Sequence, residues 1–292
     1  MLSPDQIARF KADGTLVLPG FIPQSQLEEW QRLFWQSTRA SPSDPASWPG
    51  EGHVAPGAVP VNWGIPGVYL SDWEPMDRIV EQLLGPGVAR KGLRPPNPKF
   101  GETQANKETD NLQVTWPQPA GTAWEPPAGG HIEGGSGMKD GWKGGFMLGA
   151  ITYLEDVQPS GGGFYYWPRS HLAAHSFFKS RPECINPNAH PHPFNDSESL
   201  DRHAPTGYSG QPREWTAKAG DTILWHYWTM HNGSMNLSPT PRLGLFARWY
   251  HRDYESMKHD MGGIRSDGDL WKHWGPEVQR IGLNAKQAHA KL

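Results

Sequence analysis

The sequence predicts an all-β sandwich or barrel preceded by a few short helices, and three observations carry that reading. Gly and Pro are abundant, 34 and 29 of 292 residues, without low complexity, which favours short strands and ordered loops over long helices. From about residue 111 onward, short aromatic and β-branched runs alternate with Gly and Pro turns. Fifteen tryptophans mark a folded chain despite a mean hydropathy of -0.67, because disordered segments are poor in aromatics.

The first helix is written in its capping chemistry. Ser3 stands at the N-cap, Pro4 at the first helical position, Gln6 three residues after Ser3, and Gly14 at the stop. "TLVLPGF" (15–21) reads as a strand, and Leu27, Trp30, Leu33 and Phe34 mark one face of a second helix. Met76, Ile79, Val80, Leu83 and Leu84 follow helical spacing in a third, near 75–84, which Gly85-Pro86-Gly87 ends. Two tracts, 37–70 and 90–110, read as long loops inside the domain. The strand runs are "LQVTW", "FMLGAITYL", "GGFYYW", "DTILWHYW" and "LGLFARWY". One segment, 181–214, has no hydrophobic period and several His and Pro, as a functional lid or a disordered insert would. The expected organisation is one domain over 1–292: a helical and loop part (1–110), a barrel core (111–255) containing the 181–214 insert, and a C-terminal tail (256–292).

Composition narrows the function. A net charge of -3 with no basic run points away from nucleic acid and anionic membranes. No apolar stretch approaches a membrane span, and "MLSPDQIARF" lacks a signal-peptide profile, so a cytoplasmic location is the default expectation. Cys184, the single cysteine, has no C-x-x-C partner.

The chemistry starts at "GGHIEGG" (129–135). His131 and Glu133 leave the same face of an extended chain and could grip adjacent positions on one metal ion, with glycines letting the backbone bend around it. The pair alone is weak, since about one such spacing is expected by chance and a second occurs at His251-Arg252-Asp253. What distinguishes the first is the later stretch "GDTILWHYWTMHNGSMNLSPTPRLGLFARWY" (220–250), which offers His226, His231 and Arg242. Two histidines and one carboxylate on one face of an octahedron form the triad of non-haem Fe(II) oxygenases.

Taken in order, "LSPDQIARFKADGTLVLPGFIP", His131-Ile132-Glu133, "GGGFYYWPRSH" and "GDTILWHYWTMHNGSMNLSPTPR" resemble the phytanoyl-CoA dioxygenase superfamily of Fe(II)- and 2-oxoglutarate-dependent oxygenases over nearly the whole chain. The resemblance implies a double-stranded β-helix, the cupin-like jelly roll, with N-terminal helices and a loop insert. It makes His131, Glu133 and His231 the iron ligands, and Arg242 with Ser238 the residues that hold 2-oxoglutarate. The implied reaction takes O2 and 2-oxoglutarate to succinate and CO2 while hydroxylating, or otherwise oxidising, a C–H bond of a small organic substrate. Two departures stand out. Glu133 replaces the commoner Asp, and Arg169 replaces a Gly in the family's Pro-Gly-Ser-His segment.

Strand alternation allocates the remaining side chains. With His231 facing inward, Thr229, Tyr227 and Trp225 share its face and His226 points away as a packing residue. Arg242, Gly244, Phe246 and Arg248 line one face of the last strand. Arg248 there meets either an anionic group of the substrate or a surface ion-pair partner. Trp116, Tyr165 and Trp167 are further candidates for the pocket wall, and His171 reads as a turn histidine bonded to backbone. A non-catalytic barrel, or a zinc hydrolase using the same three ligands, is the alternative; Arg242 argues against both.

Overall fold

The computed structural model describes residues 1–38, 40–48, 52–53, 65–91, 110–127, 129–132, 147–182, 208 and 210–282. Helix α1 (Pro4–Asp13) begins where its capping chemistry places it. The Gln6 N–H donates to Ser3 Oγ at 3.2 Å, and the Ser3 N–H donates to Gln6 Oε1 at 2.9 Å. Gly14 closes the helix in the left-handed region at φ 75°. Strand β1 (Thr15–Leu18), helix α2 (Gln24–Ser37), strand β2 (Gly52–His53), helix α3 (Glu74–Leu84) and strand β3 (Ala89–Lys91) follow. Leu27, Trp30 and Phe34 of α2 are buried, as are all five apolar residues that define the face of α3.

The core comprises β4 (Asn111–Trp116), β5 (Leu148–Tyr153), β6 (Phe164–Tyr166), helix α4 (Ser170–Ser180), β7 (Arg213–Trp215), β8 (Thr222–His226), β9 (His231–Gly233) and β10 (Arg242–His251). The larger sheet runs β1-β8-β5-β10-β4-β2, with β3 also pairing with the far end of β10. The smaller sheet runs β7-β6-β9. Every pairing is antiparallel. Two such sheets give the jelly roll that the resemblance implies.

Register fixes the rows of side chains on the larger sheet. Tyr153, Gly244 and Gln113 form one row, Ile151, Phe246 and Asn111 the next, and Trp225, Gly149 and Arg248 the one after. Alternate positions of β4 face the other way, so Trp116 packs on Trp35 and Trp48.

The structure corrects the sequence reading in several places. The "DTILWHYW" run is not one strand: β8 ends at His226 and a turn over 227–229 leads into β9. Helix α4, absent from the expectation, follows β6. The insert boundary is also late, because β7 occupies residues assigned to it; residues 183–207 and 209 lie outside the described residues, and the lid reading with them. Finally, the described part of the C-terminal tail packs on the domain. Helix α5 (Tyr254–Met257) spans its expected start, and α6 (Pro276–Arg280) lies within it. Lys11 Nζ donates to the carbonyls of Val278 and Ile281 at 2.6 and 2.7 Å, and Trp271 and Trp274 lie against Phe10.

Candidate active site

A cavity of about 180 Å³ opens between the two sheets. The larger sheet lines it with Gln113, Tyr153, Arg242, Phe246 and Arg248; the smaller contributes Phe164, His231, Asn232 and Gly233, and His131 completes the wall.

His131 reaches the site by backbone pairing. Its N–H and carbonyl exchange two 2.9 Å hydrogen bonds with those of His231, which adds its segment to the free side of β9. Gly130 allows the approach, since a Cβ there would overlap the Trp167 ring and the His231 carbonyl. The two imidazoles lie with ring centroids 4.4 Å apart. His231 Nδ1 is 2.9 Å from the Thr229 carbonyl, which can only accept, so Nδ1 carries the proton and Nε2 the lone pair that a metal requires. Among the described residues no cluster of three His, Cys, Asp or Glu forms around this pair. Glu133 lies outside the described residues.

Arg242 sits at the sealed end, 4% exposed. Nε donates to the Gly162 carbonyl at 2.8 Å, Nη1 to the Gln113 carbonyl at 3.2 Å and Nη2 to Thr115 Oγ1 at 2.6 Å. All three acceptors are neutral, and among the described residues no carboxylate reaches the guanidinium. Burial pulls its pKa below the ordinary arginine value, with the neighbouring Tyr153 opposing. A buried cation without an anion is unfavourable, so this end of the cavity suits an anionic group. Tyr153 stands under the guanidinium, Cζ 5.7 Å from its ring centroid, and its hydroxyl accepts the Phe164 N–H at 2.6 Å. Burial pushes that phenol up to about 12, so it stays protonated.

The cavity therefore brings His131, His231, Arg242 and Arg248 together. Other candidates lie elsewhere. Ser238 Oγ is engaged in its own turn, donating between Asn236 Oδ1 and the Thr240 carbonyl, and does not line the cavity. Trp116 is on the outer face of β4. Tyr165 points opposite to Phe164 and packs on Trp124 and Trp167, so Phe164 holds the wall position; Trp167 instead backs the His131 segment through Gly130. Phe164, Tyr153 and Gln113 went unassigned, although alternation from Arg242 through its cross-strand neighbours could have found the last two.

The decoys separate cleanly. His251 ends β10 and Asp253 lies in the turn that follows, the His251 Nδ1 accepting the Asp253 N–H at 3.0 Å. His226 is wholly buried on the far side, stacked on Trp274 with ring centroids 5.2 Å apart. His171 bonds the Lys11 carbonyl through Nε2 at 3.0 Å. Arg169 adopts φ 69°, the left-handed conformation that the family's Gly takes easily, so the turn is kept despite the substitution. Beyond it, Ser170 Oγ donates to the Trp167 carbonyl and accepts the Met230 N–H at 2.7 Å each, tying the "WPRSH" segment to the 226–231 turn.

A family model described as phytanoyl-CoA dioxygenase (PhyH) matches residues 10–244. A search of curated proteins found no match. Among solved structures, the chain is similar to EvdO2 from Micromonospora carbonacea var. aurantiaca complexed with 2-oxoglutarate. Identity is 14% and the TM-score 0.53, covering 86% of this chain and 91% of that one. It is also similar to HygX from Streptomyces hygroscopicus with nickel and 2-oxoglutarate bound, at 17% identity and a TM-score of 0.50, covering 86% and 88%. At such identities the likeness shows the fold. Among the described residues no helix is long and apolar enough to cross a membrane.

Proposed function

The chain belongs to the phytanoyl-CoA dioxygenase family, and from that premise we propose that it is a Fe(II)- and 2-oxoglutarate-dependent dioxygenase acting on a C–H bond of a small organic molecule. The observation that carries the reading is the pairing, in one cavity, of a two-histidine edge with a buried arginine that lacks a carboxylate among the described residues. His131, His231 and Glu133 would hold the metal, and Arg242 the far carboxylate of 2-oxoglutarate. When bound, Fe(II) with 2-oxoglutarate and O2 supplies the oxidising power, the co-substrate leaving as succinate and CO2.

The protein's own residues do the rest. The Thr229 carbonyl keeps the His231 proton on Nδ1, so the ligand nitrogen does not have to lose a proton before binding. Arg242, fixed by three hydrogen bonds, is planar and pre-set for a carboxylate. Tyr153, its phenol protonated, can donate to the same carboxylate. Phe164 and Phe246 keep water from the remaining wall, so that the oxidant meets substrate rather than solvent.

The test is anaerobic addition of Fe(II) and 2-oxoglutarate, which should produce a weak visible charge-transfer band. Arg242→Lys should weaken 2-oxoglutarate binding by about 1.5–3 kcal/mol with iron uptake unchanged, since an ammonium cannot replace the paired hydrogen bonds. Unchanged 2-oxoglutarate affinity in the mutant would remove Arg242 from the site.

A further inference from the structure

Asn232 follows His231 on β9, and its side chain stands where a backbone contact is missing. The two 2.9 Å bonds between His131 and His231 make one closely spaced rung of an antiparallel ladder. In that register the next such rung would join Gly129 to Gly233. The Asn232 amide lies between them instead. Its Oδ1 accepts the Gly233 N–H at 2.8 Å, and its Nδ2 donates to the Gly129 carbonyl at 2.6 Å. Since an N–H can only donate and a carbonyl only accept, the two partners fix which way round the amide sits. One hydrogen bond is thus relayed through two, and the chains are held apart by the width of the side chain. On the other side of the rung, the Thr229 carbonyl is taken by His231 Nδ1 at 2.9 Å. Gly130 is walled by the Trp167 ring and the His231 carbonyl. The rung fixes the height of His131 along β9, and the amide fixes the angle at which its segment leaves the sheet.

We propose that Asn232 is a positioning residue for the metal centre: by spacing Gly129 from Gly233 it sets the tilt of the 129–131 segment, and so the aim of the His131 imidazole relative to that of His231. The inference rests on the oxygenase reading, in which both imidazoles hold iron. Asn232 acts through the backbone, not by contact with the metal. Shortening its side chain removes the spacer. The Gly233 N–H and the Gly129 carbonyl can then bond directly, which draws the segment inward and turns His131.

The test titrates the full chain anaerobically with Fe(II) in saturating 2-oxoglutarate, with the charge-transfer band reading occupancy. Asn232→Ala should bind iron about 10- to 100-fold more weakly, the range typical of groups that orient a metal ligand. Its band maximum should also move, because the donor set is intact but re-aimed. Asn232→Gln, which keeps both halves of the amide on a longer arm, should fall between Asn232→Ala and the wild type, and it carries the test if Asn232→Ala does not fold by circular dichroism. Thr222→Val is the control. It removes a buried hydrogen bond to Thr152 on the opposite face of the larger sheet, so it lowers the melting temperature without touching the rung. Wild-type iron affinity and an unmoved band in the Asn232 variants, with only the control's loss of melting temperature, overturn the inference. A wild-type protein that gives no band with 2-oxoglutarate overturns the functional reading itself, and this inference with it.

Discussion

Two histidine pairs hang from the same turn and have opposite characters. His131 and His231 lie 4.4 Å apart between ring centroids, His171 and His226 5.2 Å. The first pair faces the cavity, with the His231 proton held on Nδ1 by a carbonyl. The second is wholly buried beneath Trp271 and Trp274. There His171 Nε2 donates to the Lys11 carbonyl and His226 Nδ1 accepts the Trp228 N–H, so His171 Nδ1 is left an acceptor and His226 Nε2 a donor. Neither of those atoms has a hydrogen-bond partner among the described residues. Burial lowers the His171 pKa to about 4 and that of His226 well below the usual histidine range. Two close imidazoles do not by themselves make a metal site; access, and a tautomer that presents the lone pair to open space, decide which pair can bind.

Substitution on either side of the turn breaks or sustains that distinction, and the largest effect belongs to the ligand. His231→Ala should come out of identical reconstitution without iron and without the 2-oxoglutarate band. His226→Ala should keep both while losing about 2–4 kcal/mol of stability, because it opens a cavity under Trp274. The reverse pattern, by metal analysis with folding checked by circular dichroism, would exchange the roles of the pairs.

Acid should act on the buried pair. An unfolded histidine titrates near 6.5 and folded His171 near 4, so between these values the unfolded chain binds the additional proton. Stability is full above about pH 6.5 and falls as pH drops toward 4, on the order of 3 kcal/mol for His171 alone. Glu155, pushed up to about 6 by burial, works in the opposite direction. The comparison that isolates the histidine is therefore urea midpoints at two pH values for wild type and His171→Phe, with the smaller fall in the mutant. An equal fall would deny that the pair is held neutral.

The smallest effect sharpens the shared hinge. Ser170→Ala leaves the Met230 N–H buried without its acceptor and should cost about 1–2 kcal/mol. Iron affinity should drop only a few-fold, because the Thr229 carbonyl that orients His231 remains. A drop as large as that of His231→Ala would make Ser170 part of what holds the metal.

Much of this was legible in sequence, for identifiable reasons. The N-terminal helices were readable because their signals are local: a capping box, a Gly stop, an apolar face. Arg242, Phe246 and Arg248 were readable because alternation along one unbroken strand fixes their common face. The same logic reached the correct side for His226, although its premise of a continuous strand to His231 was wrong. Trp116 and Tyr165 were misplaced because aromatic character says nothing about which sheet face a residue occupies; only register does. Ser238 illustrates a further limit, since a hydroxyl beside a signature arginine can be engaged by its own turn. The packing of Trp271 and Trp274 was invisible because it joins the two ends of the chain.

Gly149 and Trp225 face each other across β5 and β8, and the indole occupies the space that any Cβ on Gly149 would need. The same indole lies 5.6 Å from the His231 ring and 5.3 Å from Phe164. These two positions are therefore one unit of inheritance: a side chain appearing at 149 evicts the indole, and a shrunken residue at 225 leaves a hollow that 149 cannot fill without a simultaneous change. Descent should alter them as a pair, because the indole that fills the Gly149 gap also backs the Phe164 and His231 rings of the cavity wall.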